Sequence, residues 1–404
     1  MRVLISGASI AGPVLAYWLS RSGFDVTVVE RAPKMRKTGG HAIDLFRPAM
    51  DISERMGVLP CIEAHATGTT VLTVNRPWSS RPARIDYLKL EKVMSDRHVE
   101  IMRDDLSEIY YDASRNDAEY LFGDEITSIS DDGDVTFERG AGRRFDVVVG
   151  ADGLHSGVRR LVFGHAVPER FLGGYLAVVS VPKSLAREKE MNGYFRPDRV
   201  AMIYTADHLD DARAVFIFRP EQPLDYDHRD VGRQHAQLRA AFSGIGTEVD
   251  RWLEEVDRTP TFYFDAITQL EMPTWSRGRV TLVGDAGYCP GPAVGGSTSL
   301  AVYGAYVLAT ELTRAGGDHV AAFAAYERTM MPSVLGSRSM ARVNAKAIVP
   351  GSRWGVRALI GVARLISALP LGLTQSIARL NRRGIRLYDT MPVPEMTPRL
   401  HSGL

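Results

Sequence analysis

The chain has 404 residues, 45% of them hydrophobic and 24% charged, which excludes the disordered, collagen-like and coiled-coil classes. Its 49 Lys and Arg nearly balance 48 Asp and Glu, so no global field recruits nucleic acid and a small molecule is the expected partner. Cys61 and Cys289 are too few for a disulfide framework or a zinc set and fit a reducing cytoplasm.

Single cores stop growing at about 250 to 300 residues, so two or three domains are expected, one of them built from discontinuous pieces. Arg2 to Ser6 reads as a buried parallel strand, Gly7 to Gly12 as a tight loop, and Pro13 to Ser22 as a helix with Val14, Leu15, Trp18 and Leu19 on one side. Gly23 stops that helix, and Asp25 to Glu30 supplies a second strand. The result is a βαβ start to a doubly wound α/β fold. Gly7, Ser9 and Gly12 interrupt the apolar run at functional spacing, which argues against a secretory signal.

From about Leu72 to Glu271 the character turns β-rich, with strands expected at Leu176–Pro182, Val200–Ala206 and Ala214–Arg219. A nucleotide-domain piece interrupts this region, starting at His98–Arg103 and including a strand at Asp146–Gly150. The chain returns to that domain at Gly278–Leu312, where the strand Val280–Val283 meets a Gly- and Pro-rich loop and the apolar helix Leu300–Leu312. Beyond Ala324 the pattern is helical, with Pro332, Pro350 and Pro370 as expected breaks. The basic, amphipathic stretch Arg357–Arg383 reads as a helix packed on the main body with arginines pointing outward, in preference to one lying on a membrane. Its neighbour Trp354–Leu373 contains Arg357, Arg364 and Pro370, so stable membrane insertion is not expected. The domains are therefore expected at 1–71 with 98–165 and 272–340, at 72–97 with 166–271, and at 341–404.

Gly7-Ala8-Ser9-Ile10-Ala11-Gly12 matches G-x-G-x-x-G except that Ser9 replaces the second glycine. Gly7 permits the turn off the strand, the small second residue lets backbone approach a pyrophosphate, and Gly12 lets helix pack on strand. The helix N-terminus offers unpaired N–H groups to phosphates. Glu30, at the end of the next strand, suits a ribose diol and repels a 2′-phosphate, with Arg31 beside it. Two further motifs follow expected strands: Asp152-Gly153, with Arg159 after it, and Gly284-Asp285, followed by Pro292, Gly295, Gly296 and Ser297. In open parallel sheets, ligands bind outside such strand ends. Taken alone, Asp152-Gly153 is a turn and Arg103 a surface charge. Cys289 reads as a small buried residue, and the histidines show no metal-ligand spacing.

These three motifs, in this order, resemble the flavoprotein aromatic hydroxylases, the single-component FAD-dependent monooxygenases of the para-hydroxybenzoate hydroxylase superfamily. The resemblance covers Met1 to about Glu311 with gaps. It implies that FAD binds with its ADP half on Gly7, Ser9, Ile10, Ala11, Gly12 and Glu30. It also implies that Arg103 lies beside the pyrophosphate and flavin, that Asp152-Gly153 lies near FAD and NAD(P)H, that Gly284-Asp285 holds the ribityl chain through Asp285, and that Pro292–Ser297 approach the isoalloxazine. The resemblance further implies NAD(P)H as a transient reductant, dioxygen as co-substrate and a flavin that carries the chemistry, so no catalytic side chain is assigned. The expected substrate is an aromatic or polycyclic, polyketide-like molecule, with Leu176–Ser180, Val200–Tyr204 and Ala214–Phe218 as a floor for it. A monomer or homodimer is expected.

Gly287-Tyr288 stand where the family commonly has Ala-His, and Ser297 where it has a glycine, which puts flavin mobility in question. A flavin-dependent oxidase, dehydrogenase or reductase stays open, as does a catalytically silent flavoprotein. The Trp-x-Trp-x-Ile-Pro pattern of halogenases is absent from the sequence. Tetracycline-inactivating enzymes share the architecture.

Overall fold

A computed structural model describes residues 1–35, 40–225, 227, 230–259, 261–294, 296–370, 372–373 and 387–396. Its first sheet has six strands: Ser276–Arg277, Val280–Leu282, Val147–Gly150, Arg2–Ser6, Asp25–Glu30 and Glu119–Phe122, in that spatial order. Every pairing is parallel except the small hairpin at Ser276–Arg277. Val3–Ile5 and Val147–Val149 are fully buried, as strands covered on both faces must be. The helix between the first two strands runs Ala11–Arg21, two residues earlier than expected. Pro13 sits in its first turn, where the missing N–H has no intrahelical partner to lose.

The second sheet has seven strands in the order Phe262–Leu270, Glu169–Pro182, Asp211–Phe218, Arg199–Tyr204, Glu190–Arg196, Val71–Arg76 and Ser79–Asp86. One face packs Ala177, Val179, Ala201 and Phe216 against Phe242 and Trp252 of two short helices. The other packs Leu176, Val178, Val200 and Val215 toward Val294, Ala341 and Ala345. Burying each such aliphatic side chain contributes about 1.5–3 kcal/mol, so these strands are core on both faces. They do not line the cavity described below.

His98–Met102 does not join the parallel sheet; it forms a two-stranded antiparallel ribbon with Ala42–Phe46. The ribbon leads directly into the helix Arg103–Ser114 and so sets that helix's N-terminus at the cavity. Pro332 breaks nothing. The helix His319–Ile348 runs through it, because Met330, Val334, Ser337 and Ala341 bury one face and offset the lost backbone bond. Pro350 and Pro370 do lie just beyond the ends of His319–Ile348 and Arg353–Ala368. No helix among the described residues is long and apolar enough to cross a membrane.

Candidate functional site

The three motifs meet at one cavity of about 360 Å³, outside the carboxyl ends of Arg2–Ser6, Asp25–Glu30, Val147–Gly150 and Val280–Leu282. Gly7, Ser9, Ile10, Ala11, Glu30, Arg31, Arg103, Asp152, Gly153, Asp285, Pro292 and Ser297 all line it. Gly12, Gly284 and Gly296 do not line it. Gly295 falls outside the described residues.

The glycine loop owes its shape to close approach. Gly7 has φ +108°, and a Cβ there would lie 2.5 Å from the Ala151 carbonyl oxygen. A Cβ at Gly12 would lie 1.9 Å from the Gly7 carbonyl oxygen, which no relaxation of a side chain could relieve. Gly284 caps the short helix Asp285–Tyr288 and packs against Ala11 and Ala301. Beneath the loop, the Glu30 carboxylate accepts from the Ala8 N–H at 3.1 Å and the Ala32 N–H at 2.8 Å. These two bonds aim the carboxylate along the cavity wall.

Arg103 is the first residue of its helix, and its guanidinium reaches the Ser9 hydroxyl at 3.4 Å. Ser9 also meets the Ser107 hydroxyl at 3.2 Å. The replacement of glycine by Ser9 thus brings a side chain that ties the loop to the neighbouring helix. Burial pushes the Asp285 carboxyl up from the ordinary range, and the charge of Arg103 opposes that shift. Ser297 opens the helix Ser297–Arg314, whose N-terminal N–H groups face the cavity.

Asp152 does not simply offer its carboxylate to a ligand. It accepts from the Ser156 hydroxyl at 2.5 Å and from the Gly157 and Val158 N–H groups at 2.7 and 3.1 Å, so it organises the start of helix Gly157–Phe163. Burial raises its carboxyl, while those bonds hold it down. Arg159 is buried and donates to the Ala286 carbonyl at 2.8 Å, locking this loop to the Gly284-Asp285 loop. Burial drives the Cys289 thiol well above its ordinary range, with Asp285 adding to the shift, so it holds its proton at neutral pH.

The motifs did not reveal His41, Tyr263 and Asp265, which complete the wall. Burial and then Arg103 hold the His41 imidazole down to about 4, so it is neutral near pH 7. Burial and then the charge of Asp265 push the Tyr263 phenol well above its usual value. Asp265 meets His155 Nε2 at 3.0 Å, joining the Asp152-Gly153 loop to the edge of the seven-stranded sheet. A buried carboxylate within the apolar strand Phe262–Leu270 was the one signal that could have flagged Asp265.

A model of the FAD binding domain matches residues 1–327. The chain is 43% identical over 331 residues to the uncharacterized protein Rv1260 of Mycobacterium tuberculosis (strain ATCC 25618 / H37Rv), covering 80% of this chain and 88% of that one. It is 36% identical over 342 residues to a flavin-dependent monooxygenase from an unknown prokaryotic organism, covering 82% and 86% respectively. Among solved structures, the tetracycline destructase Tet(55) superposes with TM-score 0.81 and 32% identity, over 97% of this chain and 98% of that one. On this evidence the chain belongs to the FAD-binding flavin-dependent monooxygenases, in the aromatic hydroxylase family.

Proposed function

We propose that this FAD enzyme uses NAD(P)H and dioxygen to hydroxylate an aromatic or polycyclic, polyketide-like molecule, and that tetracyclines are the first candidates to test. The observation that carries this reading is the meeting of four strand ends with the N-termini of the helices Ala11–Arg21, Arg103–Ser114 and Ser297–Arg314 on one cavity that continues to His41, Tyr263 and Asp265. The donor set fits FAD: a carboxylate at one end for a ribose diol, N–H groups and a guanidinium in the middle for phosphates, and a second carboxylate beyond them. The similarity to Tet(55) supports the choice of substrate class.

In this reading Glu30 takes the adenosine ribose, and the helix Ala11–Arg21 presents its N-terminus to the pyrophosphate. Arg103, held toward Ser9, neutralises the phosphate charge. Asp285 accepts from ribityl hydroxyls, and its proximity to Arg103 favours the ionised form that does so. Asp152 and Arg159 keep the two loops in register for that contact. FAD, when bound, supplies the hydride acceptance and oxygen activation that the side chains cannot. Neutral His41 and the protonated Tyr263 phenol would offer hydrogen bonds to a molecule in the cavity without placing a charge there. The FAD unit comprises 1–71, 98–165 and 272–340, and 72–97 with 166–271 forms the cover for substrate.

The test is a screen of NADPH and NADH oxidation by FAD-loaded protein against phenols, polyketides and tetracyclines, with mass spectrometry under labelled dioxygen. Oxidation stimulated by a substrate that gains one labelled oxygen is expected. Stimulated oxidation without oxygen incorporation would make the chain an oxidase or reductase, and colourless protein that cannot take up FAD would refute the site.

A further inference from the structure

The helix Arg353–Ala368 is fastened to the body by only one of its faces. Val356 and Ile360 are buried, and Leu359 and Ala363 pack beside them. Its last turn is held by Lys89, whose Nζ donates to the Ser367 and Leu369 carbonyls at 2.6 and 3.4 Å, and by the Asp86 N–H, which donates to Ser367 Oγ at 2.9 Å. Ser352 caps the first turn by accepting from the Gly355 N–H at 3.0 Å. The helix is therefore a fixed platform.

Its outward face is apolar where solvent would favour polar residues. Trp354 is 75% exposed, Val362 57% and Leu365 58%, and the helical period sets them on one stripe with Ala358 and Gly361. Arg353, Arg357 and Arg364 flank that stripe at i, i+4 and i+11. The Arg357 guanidinium lies 4.8 Å from the Trp354 ring and 5.1 Å from the Trp78 ring, so cation and indoles form one surface. Arg81 and Arg84 are exposed on the neighbouring edge strand Ser79–Asp86. None of these five arginines has a carboxylate within salt-bridge distance among the described residues.

The sequence extends this asymmetry. Between Glu327 and Asp389 there is no acidic residue, while ten arginines and one lysine occur, in a chain whose net charge is only +1. We propose that this face docks peripherally on an anionic lipid surface, with Trp354, Val362 and Leu365 entering the headgroup boundary and the arginines meeting lipid phosphates. Apolar side chains alone would suit a second copy of the chain, but a two-fold contact would set this patch against itself and oppose cation to cation. An anionic bilayer satisfies both halves of the pattern at once. Docking is distinct from insertion, which the flanking arginines and Pro370 oppose.

The experiment is co-sedimentation of the full-length FAD-loaded protein with vesicles of phosphatidylcholine alone or with about one-third phosphatidylglycerol. At least about tenfold more bound protein is expected on the anionic vesicles, falling as salt rises. The double variant Trp354→Ser, Leu365→Asp is expected to lose binding, and Arg357→Glu, Arg364→Glu to lose the anionic preference. Both pairs lie on the surface, and unchanged melting temperature and flavin absorbance would establish that they fold. Wild-type protein left in the supernatant, or both variants binding like wild type, would overturn the proposal. So would a salt-resistant dimer that Leu365→Asp dissociates, which would assign the face to a second copy.

Discussion

The Arg159 guanidinium donates to the Ala286 carbonyl oxygen at 2.8 Å and also to the Leu154 carbonyl, so one buried cation fastens the two loops on which Asp152 and Asp285 stand. Replacing it with Met preserves volume and strands two carbonyls. Each buried polar group left unpaired costs about 1–3 kcal/mol. Arg159→Met is therefore expected to lower the melting temperature of the apoprotein and to weaken FAD binding together. A variant that melts normally and binds FAD normally would show that the loops do not depend on this link.

Arg103 and Ser9 separate charge from shape. Arg103→Ala removes a guanidinium from the proposed pyrophosphate site, and charge-assisted hydrogen bonds contribute about 1.5–3 kcal/mol, so FAD affinity should fall by about 10- to 150-fold. Ser9→Gly restores the usual second glycine but loses the bonds to Arg103 and Ser107. It should therefore bind FAD within about tenfold of wild type, since only a hydroxyl–hydroxyl contact and one long, weak contact from the Arg103 guanidinium are lost while the cation itself stays. Quenching of flavin fluorescence on titration measures both. Equal losses in the two variants would place the effect in loop geometry rather than charge.

How much of this was legible in the sequence follows from what each signal encodes. Gly7, Gly12 and Glu30 were readable because a tight turn, a close helix–strand contact and a strand-end carboxylate are local demands on residue type. Pro332 misled because its helix is held by long-range burial of Val334 and Ala341, which local propensity does not report. The expected substrate floor failed for the same reason: alternating apolar residues at Leu176–Ser180 announce burial but not the partner that buries them. Tyr263 and Asp265 share the strand Phe262–Leu270, whereas His41 precedes the strand Ala42–Phe46 far earlier in the chain, and only tertiary packing brings them to one wall.

Tyr388, from the returning C-terminal segment, supports the loop ahead of Ser297. Its hydroxyl donates to the Gly296 carbonyl at 2.9 Å and meets the Ser337 hydroxyl at 2.9 Å, while its ring stacks on Phe46 at 5.0 Å. Gly296 has φ +62°, and a Cβ there would lie 2.7 Å from that ring. Tyr388→Phe keeps the stacking and removes the hydrogen bond, at a cost of about 1 kcal/mol, so FAD affinity should fall about fivefold without loss of the fold. Gly296→Ala meets both strain and clash and should melt lower than Tyr388→Phe. Thermal denaturation with parallel FAD titrations distinguishes them, and an unaffected Gly296→Ala would refute the packing argument.

Glu91, on the helix Tyr87–Met94, faces His98 of the ribbon Ala42–Phe46 with His98–Met102 at 3.8 Å, and the titration of this acid–imidazole pair opposes folding at high pH. Burial raises the Glu91 carboxyl to about 7, with the charge of His98 working against the shift and those of Glu100 and Asp44 adding to it. Burial alone would lower His98, but its 2.7 Å contact with Asp44 and the charges of Glu91 and Glu100 raise it. The folded chain therefore holds more protons at both groups than the unfolded chain does, and each loses stability as pH rises. For Glu91 the loss runs from its ordinary value of 4.5 to about 7; for His98 it continues through its raised folded value. His41, held down to about 4, acts in the opposite sense below 6.5, so the wild-type curve alone mixes these effects. The difference between wild type and Glu91→Gln removes the common part: the variant should gain on wild type as pH rises from 4.5 to 7 and keep that gain above it. Melting temperatures taken at half-unit steps of pH measure this difference, and a gap that is constant, or that closes with rising pH, would contradict the burial of an ionising Glu91.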